Sequence, residues 1–286
     1  MKILITGISS SLGTLIARRL SQHHEITGIS TRKFREFKTI NFDLGSDRDL
    51  DIGPVDLCIH LAFITDPYIC EKDARAYKVN IIGTKKILDY CKNEKIKKFV
   101  LASTGGVYGF SDKILKEDFK PRPYDAYSSM KYQAEEMAKK YSNYFEVLIL
   151  RYFFPYGPET KRDSLINNLI YKVVNGRRII LHEEGKPVIN PIYINDAVEV
   201  TNLLCLKKFK GTNIINVAGP ESASIKEITQ MIASIMGKKP VFQPSKEVFK
   251  DMAASIKKLS KYYKPRITLK EGLKMTIKNL KTAWQD

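Results

Sequence analysis

Residues Lys2–Gly13 read KILITGISSSLG, and this stretch decides the fold. KILIT is rich in β-branched residues and reads as a strand. From Ser11, SLGTLIARRLSQ places Leu12, Leu15, Ile16 and Leu20 on one helical face. Between them lies a short polar turn that opens on Gly7. A tight strand-to-helix turn directs the unpaired N–H groups of the first helical turn outward, where a pyrophosphate can sit. Gly7 and Gly13 stand at the first and third glycines of a dinucleotide-binding turn, with Ser10 in the middle position. Ser10, Ser11 and Leu12 are the candidates to face phosphate, the Ser10 hydroxyl as a possible donor.

The alternation continues along the chain. EITGIS and KTINFDL read as strands, and VDLCIHLA as a near-continuous apolar strand suited to a sheet covered on both faces. DARAYKVNIIGTKKILDYCKNE reads as one helix, KKFVLAST as a strand, YSSMKYQAEEMAKKYS as a helix and FEVLILRY as a strand. The expected fold class is α/β, a Rossmann-like doubly wound parallel sheet with right-handed crossovers. Past Tyr152 the pattern loosens: a helix over SLINNLIYKVVNG, strands around a glycine turn in RRIILHEEGKPVINPIYI, a strand in TNIINVAG, then a helix opening on Ser224 and Glu227 at capping-box spacing. Two Lys-rich helices are expected at the end. Residues 1–154 with about 190–218 are assigned to dinucleotide binding. About 155–189 and 219–286 form a smaller, partly interleaved substrate domain, with a cleft between the two.

The 286 residues carry a net charge of +17 and a hydrophobic fraction of 43%. Lysines are spread over the whole chain without a basic-aromatic repeat, so a solvated surface is expected rather than a nucleic-acid partner. No apolar run is long enough for a membrane span. Cys58, Cys70, Cys91 and Cys205 are scattered, which suits a reducing cytoplasm. His23, His24, His60 and His182 have no ligand spacing, so no metal is expected.

Tyr127 and Lys131 form a Tyr-x-x-x-Lys pair in DAYSSMK. The spacing alone proves little: with 15 Tyr and 36 Lys, about two such pairs arise by chance. The chain has two, the other being Tyr68 and Lys72.

The surroundings distinguish them. TGISSSLG, FDL (Asp43, Leu44), HLA (His60 to Ala62), VNIIGT with Asn80, STGGVYG, YSSMK, LRYFFPYGP and NPIYINDAVEV together resemble the extended short-chain dehydrogenases/reductases, in the NAD-dependent epimerase/dehydratase group that modifies nucleotide sugars. The resemblance implies Thr104, Tyr127 and Lys131 as catalytic residues. It places Asp43 and Leu44 at adenine and Leu61, Ala62, Phe63, Asn80 and Phe154 along the cofactor. It sets Gly105, Tyr108 and Phe154 near the substrate. Residues i and i+4 share a helical face, so Lys131 is expected beside Tyr127, lowering a phenol pKa that starts near 10. Tyr68 and Lys72 are expected to be an inconsequential surface pair.

The second strand ends in Ser30, Thr31, Arg32 and Lys33. A carboxylate there would favour NAD by accepting from the ribose hydroxyls. Here cations follow instead, so NADP is favoured, through Arg32, with NAD as the other candidate.

Where dehydratases of this group have an acid pair, this chain has Gly105 and Gly106, which argues against sugar dehydration. Phe154 replaces a common Asn. Ile189 and Asn190 replace an Arg-Asp pair at the nucleotide end, with Arg162, Arg177 or Arg178 as substitutes. The expected activity is hydride transfer at a sugar carbon, foremost as a ketoreductase on a nucleotide-linked keto sugar. A 4-epimerase is the first alternative and a non-catalytic NADP-binding scaffold the second. The partners expected are a sugar or nucleotide-sugar substrate and a second copy of the chain, in a homodimer formed through the helices around Asn80 and Lys131.

Overall fold

The computed structural model describes residues 1–160, 164–183, 185–248 and 250–283. The elements run β1 (Lys2–Thr6), α1 (Ser11–Leu20), β2 (Glu25–Ser30), β3 (Lys38–Asn41), β4 (Leu57–His60), α2 (Pro67–Lys72), α3 (Ala74–Tyr77), a π turn (Lys78–Ile82), α4 (Gly83–Asn93), β5 (Lys98–Thr104), α5 (Ala126–Lys139) and β6 (Glu146–Tyr152). They continue as α6 (Leu165–Val174), β7 (Arg178–His182), β8 (Val188–Ile189), α7 (Ile194–Leu206), β9 (Thr212–Val217), β10 (Ala223–Ser224), α8 (Ile225–Met236), β11 (Val241–Ser245) and α9 (Leu269–Ala283). The chain divides into two compact units. One comprises 1–107, 120–151 and 198–215, and the other 108–119, 152–197 and 216–286.

The first unit carries a seven-stranded sheet in the order β3-β2-β1-β4-β5-β6-β9. Its pairs run parallel, with Ile5 opposite Gly28 on one side of β1 and Ile59 on the other. The direction of winding reverses between β1 and β4. In an open α/β sheet that reversal leaves a crevice outside the carboxyl ends of the two strands, here after Thr6 and His60. The central strands β1, β4, β5 and β6 are largely apolar because both faces of the sheet are covered there. Ile87, Leu88 and Cys91 of α4 and Ala134 and Ala138 of α5 share one core with Leu4, Cys58, Phe99, Leu101, Val147 and Ile149.

The second unit holds α6, α8, α9 and two small sheets, a parallel pair β7/β11 and an antiparallel pair β8/β10. Ser224 and Glu227 form the expected capping box on α8, and Gly237, at φ 65°, ends the helix in the left-handed region.

Four elements depart from expectation. The helix anticipated over 73–94 is broken into α3, the π turn and α4. π turns of this kind gather at functional sites, and this one contains Asn80. A short helix, α2, precedes it: Asp66 accepts from Tyr68 N and Ile69 N, and Pro67 takes the first helical position. Only one of the two expected Lys-rich C-terminal helices forms. In place of the other, Leu259–Lys261 make a single 3-10 turn. The run there is short and ends at Pro265, whose ring resists helix propagation. β11 went unanticipated because VFQPS contains Pro244, which is tolerated only at a sheet edge.

Gly28 shows how tightly the turn after β1 is seated. A Cβ at that position would stand 2.5 Å from Ile8 Cγ2 and 2.7 Å from Ile8 Cδ1. β2 therefore carries glycine because Ile8, wholly buried, leans on it from the turn. Gly28→Ala is expected to lower stability by roughly 1–3 kcal/mol through overpacking. A shifted urea midpoint with unchanged slope would register it, and an unshifted midpoint would contradict the contact.

Candidate active site

The turn after β1 is built to exclude side chains. Gly7 has φ 69°, and a Cβ on it would lie 2.8 Å from Ala62 N. A Cβ on Gly13 would lie 2.4 Å from Gly7 O. Thr14 Oγ1 donates to Ile8 O (2.9 Å), closing the loop onto the helix. Ser10, expected as a phosphate donor, is the N-cap of α1: its Oγ accepts from Gly13 N at 3.1 Å. The cap uses an acceptor lone pair, so the hydroxyl keeps its proton to donate elsewhere. Ser11 and Leu12 occupy the first turn of α1, where N–H groups have no intrahelical carbonyl.

Beside this turn is a cavity lined by Gly7, Ser30, Thr31, Arg32, Asp43, Leu44, Ala62 and Phe63 among the expected residues. It is also lined by Ser9, Phe42, Ile64, Arg75 and Val79, which sequence reasoning missed. Ser9 and Ser30 share a hydrogen bond between hydroxyls (2.8 Å), and Ser30 Oγ also accepts from Arg32 N (2.9 Å). Asp43 accepts from Gly45 N (2.9 Å) and from Arg75 Nη2 (3.1 Å). The cavity thus presents two guanidinium groups and one carboxylate that is already paired. Arg75 left no signal in the sequence, because only folding brings α3 to the end of β3.

His60 and Asn80 form the floor between β1, β4 and the π turn. Thr84 Oγ1 donates to Asn80 O (2.5 Å), so it must accept from His60 Nε2 (2.9 Å). His60 Nδ1 then accepts from Thr6 Oγ1 (2.7 Å). Both ring nitrogens are satisfied in the neutral form, and burial, with the nearby Lys131 charge, pushes the pKa down to about 3. Asn80 accepts from Ile64 N (2.7 Å) and donates to Ile64 O (3.0 Å), and its amide also reaches Met130 Sδ (3.5 Å). It ties the segment after β4 to α5.

Thr104 ends β5, and Tyr127 and Lys131 lie on α5. Asp125 sets the start of that helix: it accepts from Ser128 N (2.6 Å), while Ser128 Oγ accepts from Asp125 N (3.2 Å). Thr104 Oγ1 accepts from Gly106 N (3.1 Å), which leaves its proton for the Tyr127 oxygen. Lys131 Nζ donates to Ala102 O (2.6 Å) and lies 3.7 Å from the centre of the Phe63 ring. Phe63 meets Tyr127 edge to face, with ring centres 6.0 Å apart. By contrast Tyr68 is 71% exposed and Lys72 pairs with Glu71 (2.8 Å).

The electrostatics reverse one expectation. Lys131 was expected to acidify Tyr127, yet the phenol is held above its ordinary pKa. Burial is the main cause, then the Asp125 carboxylate; the Thr104 hydrogen bond pulls it down. Burial likewise pushes Lys131 down to about 7, against the Glu135 carboxylate, which raises it. Desolvation outweighs the attraction because the ammonium is turned toward Ala102 and Phe63.

Gly105 and Gly106 open the turn after β5. A Cβ on Gly106 would press at 3.2 Å on both Ser128 Cβ and Tyr124 Cε1. Tyr108, expected near substrate, is buried within the second unit. It is 2% exposed, donates to Asn216 Oδ1 (2.8 Å) and stacks on Phe153. Phe154, in the same unit, sits at φ 46°, a region unfavourable for a bulky side chain. Asn190 is buried and exchanges two 2.9 Å hydrogen bonds with Ala254. Ile189 is also buried. Arg177 and Arg178 are exposed, with Arg177 over the Tyr171 ring, and Arg162 lies outside the described residues. Among the described residues no group of His, Cys, Asp and Glu could hold a metal, and no helix is long and apolar enough to cross a membrane.

The NAD dependent epimerase/dehydratase family model matches residues 3–240. The chain belongs to this family of enzymes. Its fold matches MoeE5, solved with UDP-glucuronic acid and NAD: TM-score 0.89 and 22% identity over 99% of this chain and 100% of that one. The UDP-glucuronic acid 4-epimerase of Bacillus cereus, solved with UDP-glucuronic acid and NAD, is 27% identical at TM-score 0.87, covering 99% and 100%. The UDP-glucuronate 4-epimerase of Thermodesulfobacterium geofontis (strain OPF15) is 31% identical over 207 residues, 69% of this chain and 64% of that one. The NADP preference read from Arg32 has no counterpart in these solved relatives, which hold NAD.

His60 has a consequence for stability. Its folded pKa, about 3, lies below the unfolded value near 6.5. The neutral form that the fold requires is free of cost above pH 6.5. As pH falls from there toward 3, the unfolded chain takes up a proton the folded chain refuses, so stability drops by up to about 1.4 kcal/mol per pH unit. The stability gap between wild type and His60→Gln, measured by denaturant unfolding, is therefore expected to narrow on acidification. A pH-independent gap would refute the neutral-histidine account.

Proposed function

We propose that this chain is an NAD-dependent 4-epimerase of a nucleotide-linked sugar, moving a hydride off and back onto one carbon. The observation that carries the reading is the convergence of Thr104, Tyr127 and Lys131 at the end of β5, in the unit that also holds the glycine-lined turn. The turn fits a dinucleotide because backbone fills every position a Cβ would take at Gly7 and Gly13. In this reading Gly7, Ser10, Ser11, Leu12 and Gly13 hold the pyrophosphate, and Ser30, Thr31, Arg32, Asp43 and Leu44 the adenosine. Leu61, Ala62, Phe63, Asn80 and Lys131 line the nicotinamide end. When bound, the oxidised ring supplies a hydride acceptor and a positive charge.

Tyr127 moves the proton at the sugar oxygen, and Thr104 orients that oxygen by hydrogen bond. Lys131 keeps the phenol end of the site cationic. Gly105 and Gly106 bring no acid or base to the neighbouring carbons, so the sugar is oxidised and reduced without loss of water. The family relationship and the named 4-epimerases among the relatives support this reading.

A specific observation favours a second reading, a ketoreductase using NADPH. Arg32 and Arg75 both line the adenosine end of the cavity, and the only carboxylate there is tied to Arg75. Two measurements separate the readings. An epimerase converts a UDP-sugar to its 4-epimer with no net change in nicotinamide absorbance, whereas a reductase consumes NADPH and binds it more tightly than NADH. In either case Tyr127→Phe should cut turnover at least about 100-fold while dinucleotide affinity stays within a few-fold. Retained turnover would remove Tyr127 from the mechanism.

The exposed Tyr77 and Ile82 on the α3–α4 segment support a homodimer through this region. Light scattering should give twice the chain mass at micromolar concentration, and a monomer mass would contradict the assembly.

A further inference from the structure

Tyr127, Lys131 and Glu135 follow at intervals of four along α5, on one face. The first two belong to the proposed mechanism and the third does not. Glu135 is wholly buried. Its Oε1 accepts from Ser103 Oγ (2.5 Å) and Arg151 Nε (2.9 Å), and its Oε2 accepts from Arg151 Nη2 (2.5 Å). Arg151, near the end of β6, and Ser103, next to Thr104, are buried as well. A fully desolvated ion pair is weak support for stability alone, since apolar side chains of the same volume often serve as well. Its placement one helical turn from a buried lysine calls for another account.

The strand supplies one. Ala102, Ser103 and Thr104 are consecutive in β5, and each takes a different polar group of α5. The Ala102 carbonyl takes Lys131, the Ser103 hydroxyl takes Glu135 and the Thr104 hydroxyl takes Tyr127. We propose that Glu135, clamped by Arg151 and Ser103, is a positioning residue that fixes the register of α5 on β5 and offsets the desolvation of the Lys131 ammonium. This rests on the reading of Lys131 as part of the active site.

The groups around Lys131 leave Glu135 that task. Phe63 offers only a ring face. His60 on β4 is neutral and already bonded on both nitrogens. Cys70 on α2 is a buried thiol whose pKa is raised, so it carries no charge at neutral pH. Tyr127 is a neutral phenol, and Asp125 is engaged at the helix start by Ser128. Ala102 contributes a carbonyl dipole. Glu135 is therefore the carboxylate on the same helical face that offsets the desolvation of the ammonium, and Arg151 attenuates it. The three charges, two positive and one negative, leave the lysine poised near neutrality instead of strongly basic.

The test titrates Lys131 directly, by NMR of protein carrying lysine labelled at the ε-carbon, with Lys131→Met assigning the resonance. It is read without substrate or dinucleotide. In Glu135→Gln the Lys131 midpoint should fall by about one pH unit or more. Because that variant leaves Arg151 buried without this carboxylate, the double variant Glu135→Gln/Arg151→Met is the folded counterpart and should shift the midpoint in the same sense but by less, since the opposing Arg151 charge is lost with it. Glu135→Asp in the wild-type background should recover part of the shift. The alkaline limb of the kcat/KM profile should move with the midpoint. If the midpoint stays at the wild-type value in both Glu135→Gln and the double variant, Glu135 is structural and the proposal fails. Loss of the epimerase reading through an active Tyr127→Phe would leave the Lys131 midpoint as a separate result.

Discussion

The seat of α5 on the end of β5 is the constraint from which the active-site geometry follows. Three successive strand residues bind three polar groups of one helix face, two of them through side-chain hydroxyls and one through a backbone carbonyl. Burying Lys131, Glu135 and Arg151 together is costly unless every partner is in place. That cost makes the arrangement selective: a slide of α5 along β5 would strand charges in an apolar core. Asp125 and Ser128 add a boundary condition by fixing where the helix begins. Tyr127 therefore sits in the first turn of a helix whose axial position is set at both ends.

The second constraint is steric. Gly7, Gly13 and Gly28 stand where neighbouring backbone or Ile8 leaves no room for a Cβ, and together they bring β1, β2 and the first turn of α1 into close approach. Ser10 can replace the middle glycine because its side chain folds back as an N-cap. This departure from the family pattern is thus compatible with an open turn. The glycine turn and α5 meet through Ala62, which backs Gly7, and Phe63, which touches both Lys131 and Tyr127.

Much of this was readable from residue patterns. The strands of the sheet, α1, α5 and α8 follow periodicity and capping signals that are local in sequence. The failures have particular causes. α2 was overlooked although Asp66 and Pro67 form a recognisable helix start. The π turn depends on Asn80 reaching Ile64, a contact 16 residues away. The Tyr108 hydroxyl meets Asn216, 108 residues on, a pairing no local pattern announces. The direction of the Tyr127 shift was misjudged because i,i+4 spacing reports proximity and says nothing of how much water is lost or where an ammonium points.

The sequence by itself determined the alternation of strands and helices, the glycine turn and the family, since these rest on nearest-neighbour sterics and hydrophobic period. Tertiary structure alone decided the electrical character of the site. Desolvation depends on everything packed around a group, so the raised phenol, the depressed ammonium, the neutral His60 and the Glu135–Arg151 clamp exist only once distant strands close over them.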